Sequence, residues 1–294
     1  MKSAAASVSF VPTSTTLPNF LIIGAMKSGS TTLYNHLRDH PRVFMTSYKE
    51  PEFFVAEKTW SRGVDWYSRL FAGAGDALAV GEASTSYTKA GEFDGVPARI
   101  RSLIPEARLI YILRDPVARI QSMYEHLVLT GHESRPIDEA VLTDPKYLGP
   151  SLYARNLQLY LEHFPREQLH IVFTDDLRDD PVGTVSRVTR FLDLPPQPGF
   201  RPAAREDLKT SERFADRRAK TWVRKFPSVH IAFQQLPAPV RGGLRRVATR
   251  KSVPERPRLS AEAELHLRER LAPDLAELRR LLGDDMVPWG IPSR

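Results

Sequence analysis

Two short segments carry side chains whose types and spacing suit the binding of a phosphate or sulfate. The first, Lys27-Ser28-Gly29-Ser30-Thr31-Thr32, follows the apolar run Phe20–Gly24 and precedes a helix predicted to begin near Ser30. Backbone N–H groups in a Gly/Ser-rich turn, backed by a helix N-terminus, form a concave anion site. Ser28, Ser30, Thr31 and Thr32 add hydroxyl donors, and Lys27 adds a point charge. The plain alternative is an ordinary strand–helix turn with an exposed lysine, and the density of hydroxyls around that lysine argues against it. Triphosphate hydrolysis requires the lysine directly after the last glycine. Here Gly29 is followed by Ser30 and Lys27 lies two positions earlier, which points to phosphate chemistry other than magnesium–triphosphate. The second segment, Arg108-Leu-Ile-Tyr-Ile-Leu-Arg114-Asp115-Pro116, continues through Arg119 to Ser122. Asp115 suits a helix N-cap and Pro116 the first helical position. Arg114 falls at the carboxyl end of a strand, where open α/β sheets bind ligands, and Ser122 follows about two helical turns later. Arg114 either shares an anion with Ser122 or pairs with a structural carboxylate.

The elements that must position these residues are short apolar runs alternating with amphipathic stretches. That pattern predicts an α/β fold: a single domain with a central parallel sheet flanked by helices. The expected strands are Phe20–Gly24, Ala79–Gly81, Leu109–Leu113 and Leu169–Phe173. The expected helices are Ser30–Asp39, Val117–Thr130, Leu152–His163 and Val182–Leu192. A last helical stretch, Ala261–Leu282, is expected to break or restart at Pro273 and to end at Gly283. Residues 1–18 read as a disordered lead and 19–294 as the domain. Four prolines between 195 and 202 mark a loop or linker opening the segment 196–258, a basic stretch expected to act as a lid or to face the acceptor.

Composition bounds the function. The 294 residues are 41% hydrophobic and 26% charged, the profile of a globular chain rather than a disordered tail or polytopic membrane protein. The chain contains no cysteine, which removes disulfide scaffolds, thiolate metal sites and cysteine nucleophiles. Its absence suits a reducing cytosol, and with neither a signal-peptide pattern nor a membrane-length apolar run, a cytoplasmic location is expected. Residues 201–260 hold 16 Lys/Arg against 5 Asp/Glu, a surplus of 11 in a chain that nets +7. This stretch is either a solvated helical face or a surface meeting an anionic ligand. It lacks the zinc-finger, RNA-recognition and helix-turn-helix signatures, so nucleic acid is not an expected partner.

Together the two anion segments resemble the 5′-phosphosulfate loop and the 3′-phosphate motif of sulfotransferases that use 3′-phosphoadenosine 5′-phosphosulfate (PAPS). Lys27-Ser28-Gly29-Ser30-Thr31 matches the Lys-x-Gly-Ser/Thr-Thr core, and Arg114 with Ser122 matches Arg-Asp-Pro with a serine eight residues on. Further segments look most like the heparan sulfate glucosaminyl branch. They are Lys49-Glu50-Pro51-Glu52-Phe53-Phe54, Gly63-Val-Asp-Trp66-Tyr67, Gly81-Glu82-Ala-Ser84-Thr-Ser-Tyr87, Ser151-Leu-Tyr153, and Leu169–Phe173 leading into Asp175-Asp176-Leu177 and Asp180-Pro181. The resemblance runs in order over about residues 19–195, with a weaker match at 259–289.

The resemblance implies a metal-free transfer of a sulfuryl group from PAPS to an acceptor hydroxyl, with 3′-phosphoadenosine 5′-phosphate (PAP) as product. Lys27 would stabilise the leaving oxygen, the Lys27–Thr32 loop would grip the 5′-phosphate, and Arg114 and Ser122 would hold the 3′-phosphate. Glu50 occupies the position of the catalytic carboxylate and is assigned as general base, against the alternative of a surface ion pair with Lys49 or an arginine. Tyr153 is either a nucleotide contact or a core tyrosine, and Phe53 and Phe54 are expected to pack. No histidine spacing matches a metal site such as His-Glu-x-x-His, and no metal is expected. Lys209, Arg213, Arg217, Arg218 and Lys220 are candidates to close over the 3′-phosphate or meet an acidic acceptor. Heparan sulfate enzymes commonly carry histidine after the proline and lysine after the glutamate of the later motif. Glu52 and Ala83 stand there instead, which argues against a densely anionic polysaccharide. The expected acceptor is a hydroxyl of a carbohydrate, glycolipid or glycosylated small molecule. Two other classes remain: a nucleoside or nucleotide kinase using ATP and magnesium, with Asp115 or Asp175 as metal ligand, and a non-catalytic nucleotide- or nucleic-acid-binding protein.

Overall fold

Five strands, Phe20–Gly24 (β1), Val43–Met45 (β2), Ala79–Ala83 (β3), Arg108–Leu113 (β4) and Leu169–Phe173 (β5), form one parallel sheet in the order β2-β3-β1-β4-β5. The chain is described here from a computed structural model over residues 16–197, 199–200, 257–283 and 287–289. The five lysines and arginines between 209 and 220 lie outside those residues, as does nearly all of the basic stretch and of the N-terminal lead. Within the described part of that lead, Leu17 already packs against the core and Pro18 is buried.

The helices are α1 (Ser30–Arg38), α2 (Val64–Arg69), α3 (Val96–Leu103), α4 (Pro116–Thr130), α5 (Ile137–Thr143), α6 (Pro145–Leu148), α7 (Tyr153–Leu161), α8 (Thr174–Asp179), α9 (Pro181–Phe191) and α10 (Ala261–Leu282). Strand side chains alternate between faces. Leu21, Ile23, Leu109, Tyr111 and Leu113 point into one apolar cluster, which contains residues of α4, α7 and α10. Phe20, Ile22, Ile110 and Ile112 point into a second, which contains residues of α1 and α9. A sheet covered on both faces explains why these strands read as continuous apolar runs.

Besides α2, α3, α5, α6 and α8, which were not among the expected helices, three features depart from the reading of the sequence. β2 was not anticipated, because three residues are too few to show a period. β3 runs on to Ala83, carrying the carboxyl of Glu82 as one of its buried residues. The last helix is continuous through Pro273, where a break was expected. Proline removes one intrahelical bond, but Leu267, Leu271, Leu275 and Leu278 on either side are buried in the core. Asp274 accepts hydrogen bonds from the N–H groups of Ala154 and Arg155, both at 3.0 Å, capping the start of α7. Tertiary packing and this cap hold the turn that proline weakens.

Close packing around Gly81 yields a test. A Cβ on Gly81 would lie 2.3 Å from Cζ of Phe20, whose ring is fully buried. Gly81→Ala is expected to destabilise the fold by about 1–3 kcal/mol through overpacking, with Phe20→Leu restoring part of the loss. Urea unfolding of the two variants checks this.

Candidate active site

All five strands end on the same edge of the sheet, and their carboxyl ends deliver the candidate residues. β1 leads into the loop Ala25–Gly29, in which Lys27 has φ 71° and Gly29, the N-cap of α1, has φ 99°. No side chain caps the start of α1 and its first turn holds no acidic residue, so the terminus suits an anion. Two residues from other strands pin the loop. Arg114, following β4, donates from Nη1 to the Lys27 carbonyl at 3.1 Å. The Thr174 hydroxyl, following β5, lies 2.6 Å from the Ser28 carbonyl and 2.9 Å from that of Leu113, its one proton shared between them. Thr174 was missed in the sequence, although a hydroxyl directly after a parallel strand was the available signal. Ser28 is fully buried and its Oγ approaches the Tyr153 hydroxyl without forming a well-shaped bond. Ser30, Thr31 and Thr32 open the helix.

The Arg-Asp-Pro corner folds as its residue types dictate. The Asp115 carboxylate accepts from the Ala118 N–H at 2.8 Å, Pro116 opens α4, and Arg268 of α10 approaches Asp115 at 3.6 Å. Asp115 therefore acts as a structural cap. Ser122 is buried two turns on, while the Arg114 head points back to the loop. Tyr153 is a core tyrosine: fully buried, it donates to the Arg114 carbonyl at 2.8 Å, and burial pushes its hydroxyl up to about 12. Arg119, between Arg114 and Ser122, is also fully buried and donates to Ser151 Oγ and the Tyr147 carbonyl.

Glu50 follows β2, in the turn Lys49–Phe54. Its Oε2 accepts from the Thr85 hydroxyl at 3.0 Å and the Thr85 N–H at 3.3 Å, in place of an ion pair with Lys49. Lys49 instead reaches Thr31 Oγ1 at 3.4 Å, joining this turn to the first turn of α1. One cleft is lined by Ser30, Thr31, Tyr34, Lys49, Glu50 and Ala83, and so brings the carboxylate and the anion loop to a common surface. Glu52 faces away into a network, its carboxylate accepting from Lys58 and Ser86. Phe53 and Phe54 pack as expected, both fully buried, with Phe53 stacked on Tyr67 at 4.1 Å.

Behind this turn lies Glu82, which is fully buried and accepts hydrogen bonds from Tyr87 (2.6 Å), Ser84 (2.8 Å) and Tyr67 (3.2 Å) hydroxyls. Burial pushes its carboxyl up to about 7, the charge of Glu50 adds to the rise, and the three hydroxyls oppose it. Among the described residues no cluster of three or more histidines and carboxylates has the arrangement of a metal site. None of the described helices is long and apolar enough to cross a membrane.

The chain is similar to known proteins. Residues 17–221 match the family model described as the sulfotransferase domain. A bifunctional heparan sulfate N-deacetylase/N-sulfotransferase of Drosophila melanogaster is 30% identical over 228 residues, which cover 66% of this chain and 21% of that protein. The mouse heparan sulfate glucosamine 3-O-sulfotransferase 5 is 32% identical over 194 residues, covering 62% and 55%. The chain thus spans between about a fifth and about half the length of these two relatives. A crystal structure of a sulfotransferase from Alicyclobacillus acidocaldarius superposes with a TM-score of 0.65 at 25% identity, over 91% of this chain and 96% of that one.

The raised Glu82 carboxyl makes stability depend on pH. Its ordinary value is 4.5, so between about pH 4.5 and 7 the native state holds a proton that the unfolded chain has released. Stability is therefore expected to fall as pH rises through that window and to level off above it. Across the window the wild type should lose about 3 kcal/mol more than Glu82→Gln, measured by urea unfolding at both ends.

Proposed function

The chain belongs to the sulfotransferase family, and on that premise we propose that it moves a sulfuryl group from PAPS to a hydroxyl of a carbohydrate, glycolipid or glycosylated small molecule by in-line displacement. The observation that carries this reading is the cleft in which Ser30 and Thr31 of the anion loop face Lys49 and Glu50. When bound, PAPS supplies the activated sulfuryl group. The residues present fit it: an uncapped helix start with no acidic residue in its first turn, Lys27 in the preceding loop, and Arg114 bonded to that loop.

In this reading Lys27 stabilises charge on the leaving oxygen, and residues Lys27 to Thr32 hold the 5′-phosphate with backbone and hydroxyl donors. Arg114 and Ser122 hold the 3′-phosphate. Glu50, oriented by Thr85, takes the proton from the acceptor hydroxyl, and no metal is needed. The heparan sulfate relatives support a carbohydrate acceptor, as their names state for those proteins. The cleft wall supports one without dense negative charge, because Ala83 presents only a methyl group there. The cysteine-free composition fits a cytoplasmic enzyme.

Calorimetric titration with PAP in the absence of metal, beside ATP–magnesium, tests the donor. PAP is expected to bind far better than ATP, and Lys27→Ala and Arg114→Ala are each expected to weaken it by about tenfold or more, the scale of a charged hydrogen bond. Glu50→Gln should leave PAP affinity unchanged and slow turnover of PAPS by about a hundredfold. Magnesium-dependent ATP binding with no response to PAP would overturn the reading in favour of a kinase.

A further inference from the structure

The turn that carries Glu50 is held in an unfavourable backbone conformation. Glu50 and Glu52 have φ of 51° and 52°, in the left-handed region that residues other than glycine adopt at a cost, and they flank Pro51. Such a conformation persists only where its surroundings determine it. Thr59 Oγ1 donates to the Pro51 carbonyl at 2.7 Å, and Lys58 pairs with Glu52. At the far end of the turn Arg99 Nε donates to the Phe54 carbonyl at 2.7 Å, and the contacts on Glu50 and Glu52 come from one segment at the end of β3. Thr85 donates twice to the Glu50 carboxylate, the Ser86 hydroxyl donates to that of Glu52, and Ser84 Oγ accepts the Glu52 N–H at 2.9 Å.

Ser84 has one hydroxyl proton, and it goes to Glu82. That donation orients the Ser84 oxygen, leaving a lone pair for the Glu52 N–H. Glu82 sits beside the strand of the anion loop, paired in register with Leu21, and has no cationic partner among the described residues. Its three contacts are neutral hydroxyl donors. Above about pH 7, where Glu82 is ionised, its carboxylate offers acceptor sites to all three, whereas a carboxamide turns one side into a donor that competes with a hydroxyl already donating.

We propose that Glu82 is a positioning residue for the transfer reaction: through Ser84 it holds the Glu50–Glu52 turn in the conformation that presents the Glu50 carboxylate to the cleft. The inference rests on the assignment of Glu50 as general base. It gives a purpose to a buried carboxyl that touches neither the donor loop nor the cleft. The raised proton affinity of Glu82 is consistent with a carboxyl buried for its geometry rather than for an ion pair.

The test combines amide hydrogen exchange, read by NMR, with PAPS turnover in the absence of added acceptor, where water takes the sulfuryl group and PAP is released. In Glu82→Gln and in Ser84→Ala, exchange at the Glu52 N–H is expected to accelerate about tenfold, the scale of one lost hydrogen bond, while Ala118, capped by Asp115, stays protected. Turnover should fall about tenfold in each variant, with PAP affinity within about twofold of wild type. The double variant should lose no more than the worse single, because both changes act on one path. Unchanged Glu52 exchange and full turnover in folded variants would overturn the proposal. So would losses that multiply, or losses matched by equal weakening of PAP binding. Failure of the wild type to bind PAP would instead sink the sulfotransferase reading, and the exchange measurement would still decide whether Glu82 holds the turn.

Discussion

Two carbonyl groups, those of Lys27 and Ser28, must be held against the sheet for the rest of the site to exist. A peptide unit points its C=O and N–H in opposite directions. Fixing the Ser28 carbonyl on Thr174 therefore turns the N–H of Gly29 outward, toward the start of α1. Arg114 fixes the Lys27 carbonyl, while the Ser28 N–H of the same peptide closes a turn onto the Ala25 carbonyl at 3.2 Å, and the guanidinium brings a fixed positive charge beside the loop. The left-handed backbone at Lys27 is the local cost of this arrangement. It is borne by bonds from the residues that follow β4, the neighbour of β1, and β5, the next strand out on that side.

Parallel pairing makes this economy of contacts possible. With all strands pointing the same way, the residues that follow each strand collect on one edge, and a strand order that diverges to both sides of β1 opens a crevice there. β1 contributes the anion loop, β2 the Glu50 turn, β3 the Ser84–Ser86 segment that holds that turn, β4 Arg114, and β5 Thr174. The two faces are sealed by helices, so the strands need no polar side and the edge is where polar groups gather. Glu82 is the exception, a carboxyl set inside an apolar layer and satisfied by three hydroxyls.

With Glu50 as the proposed base, its place next to the proposed anion loop poses an electrostatic problem, since a carboxylate is repelled by a bound phosphate or sulfate. The geometry separates the tasks. Lys49 sits between them, its ammonium on Thr31, while Glu50 is tied back by Thr85. Glu52 is neutralised by Lys58. Among the described residues the cleft is lined by one ammonium, one carboxylate, hydroxyls, the Tyr34 ring and the methyl group of Ala83.

Much of the fold was legible in the residue pattern. Apolar runs, the Asp115-Pro116 helix start and the Gly283 helix end are local features, set by steric and capping preferences that act over a few residues, and they place four of the five strands. The identity of the anion loop was equally local, because Lys27, Gly29 and the hydroxyls that follow are adjacent. β2 escaped because it is short, and the break expected at Pro273 did not occur because buried leucines and the cap provided by Asp274 outweigh one lost hydrogen bond. The roles of Thr174, Ser84, Thr85 and Glu82 were not legible, and Tyr153 was ambiguous between ligand and core. What the sequence by itself determined was which segments carry residue types suited to an anion and which chemistry their side chains can perform. Only the tertiary structure decided which residues hold those segments in place, because Thr174 meets Ser28 across 146 positions and Arg114 meets Lys27 across 87. Contacts at such separations depend on strand order and register, which arise when the whole sheet assembles and are not encoded in any short stretch of the chain.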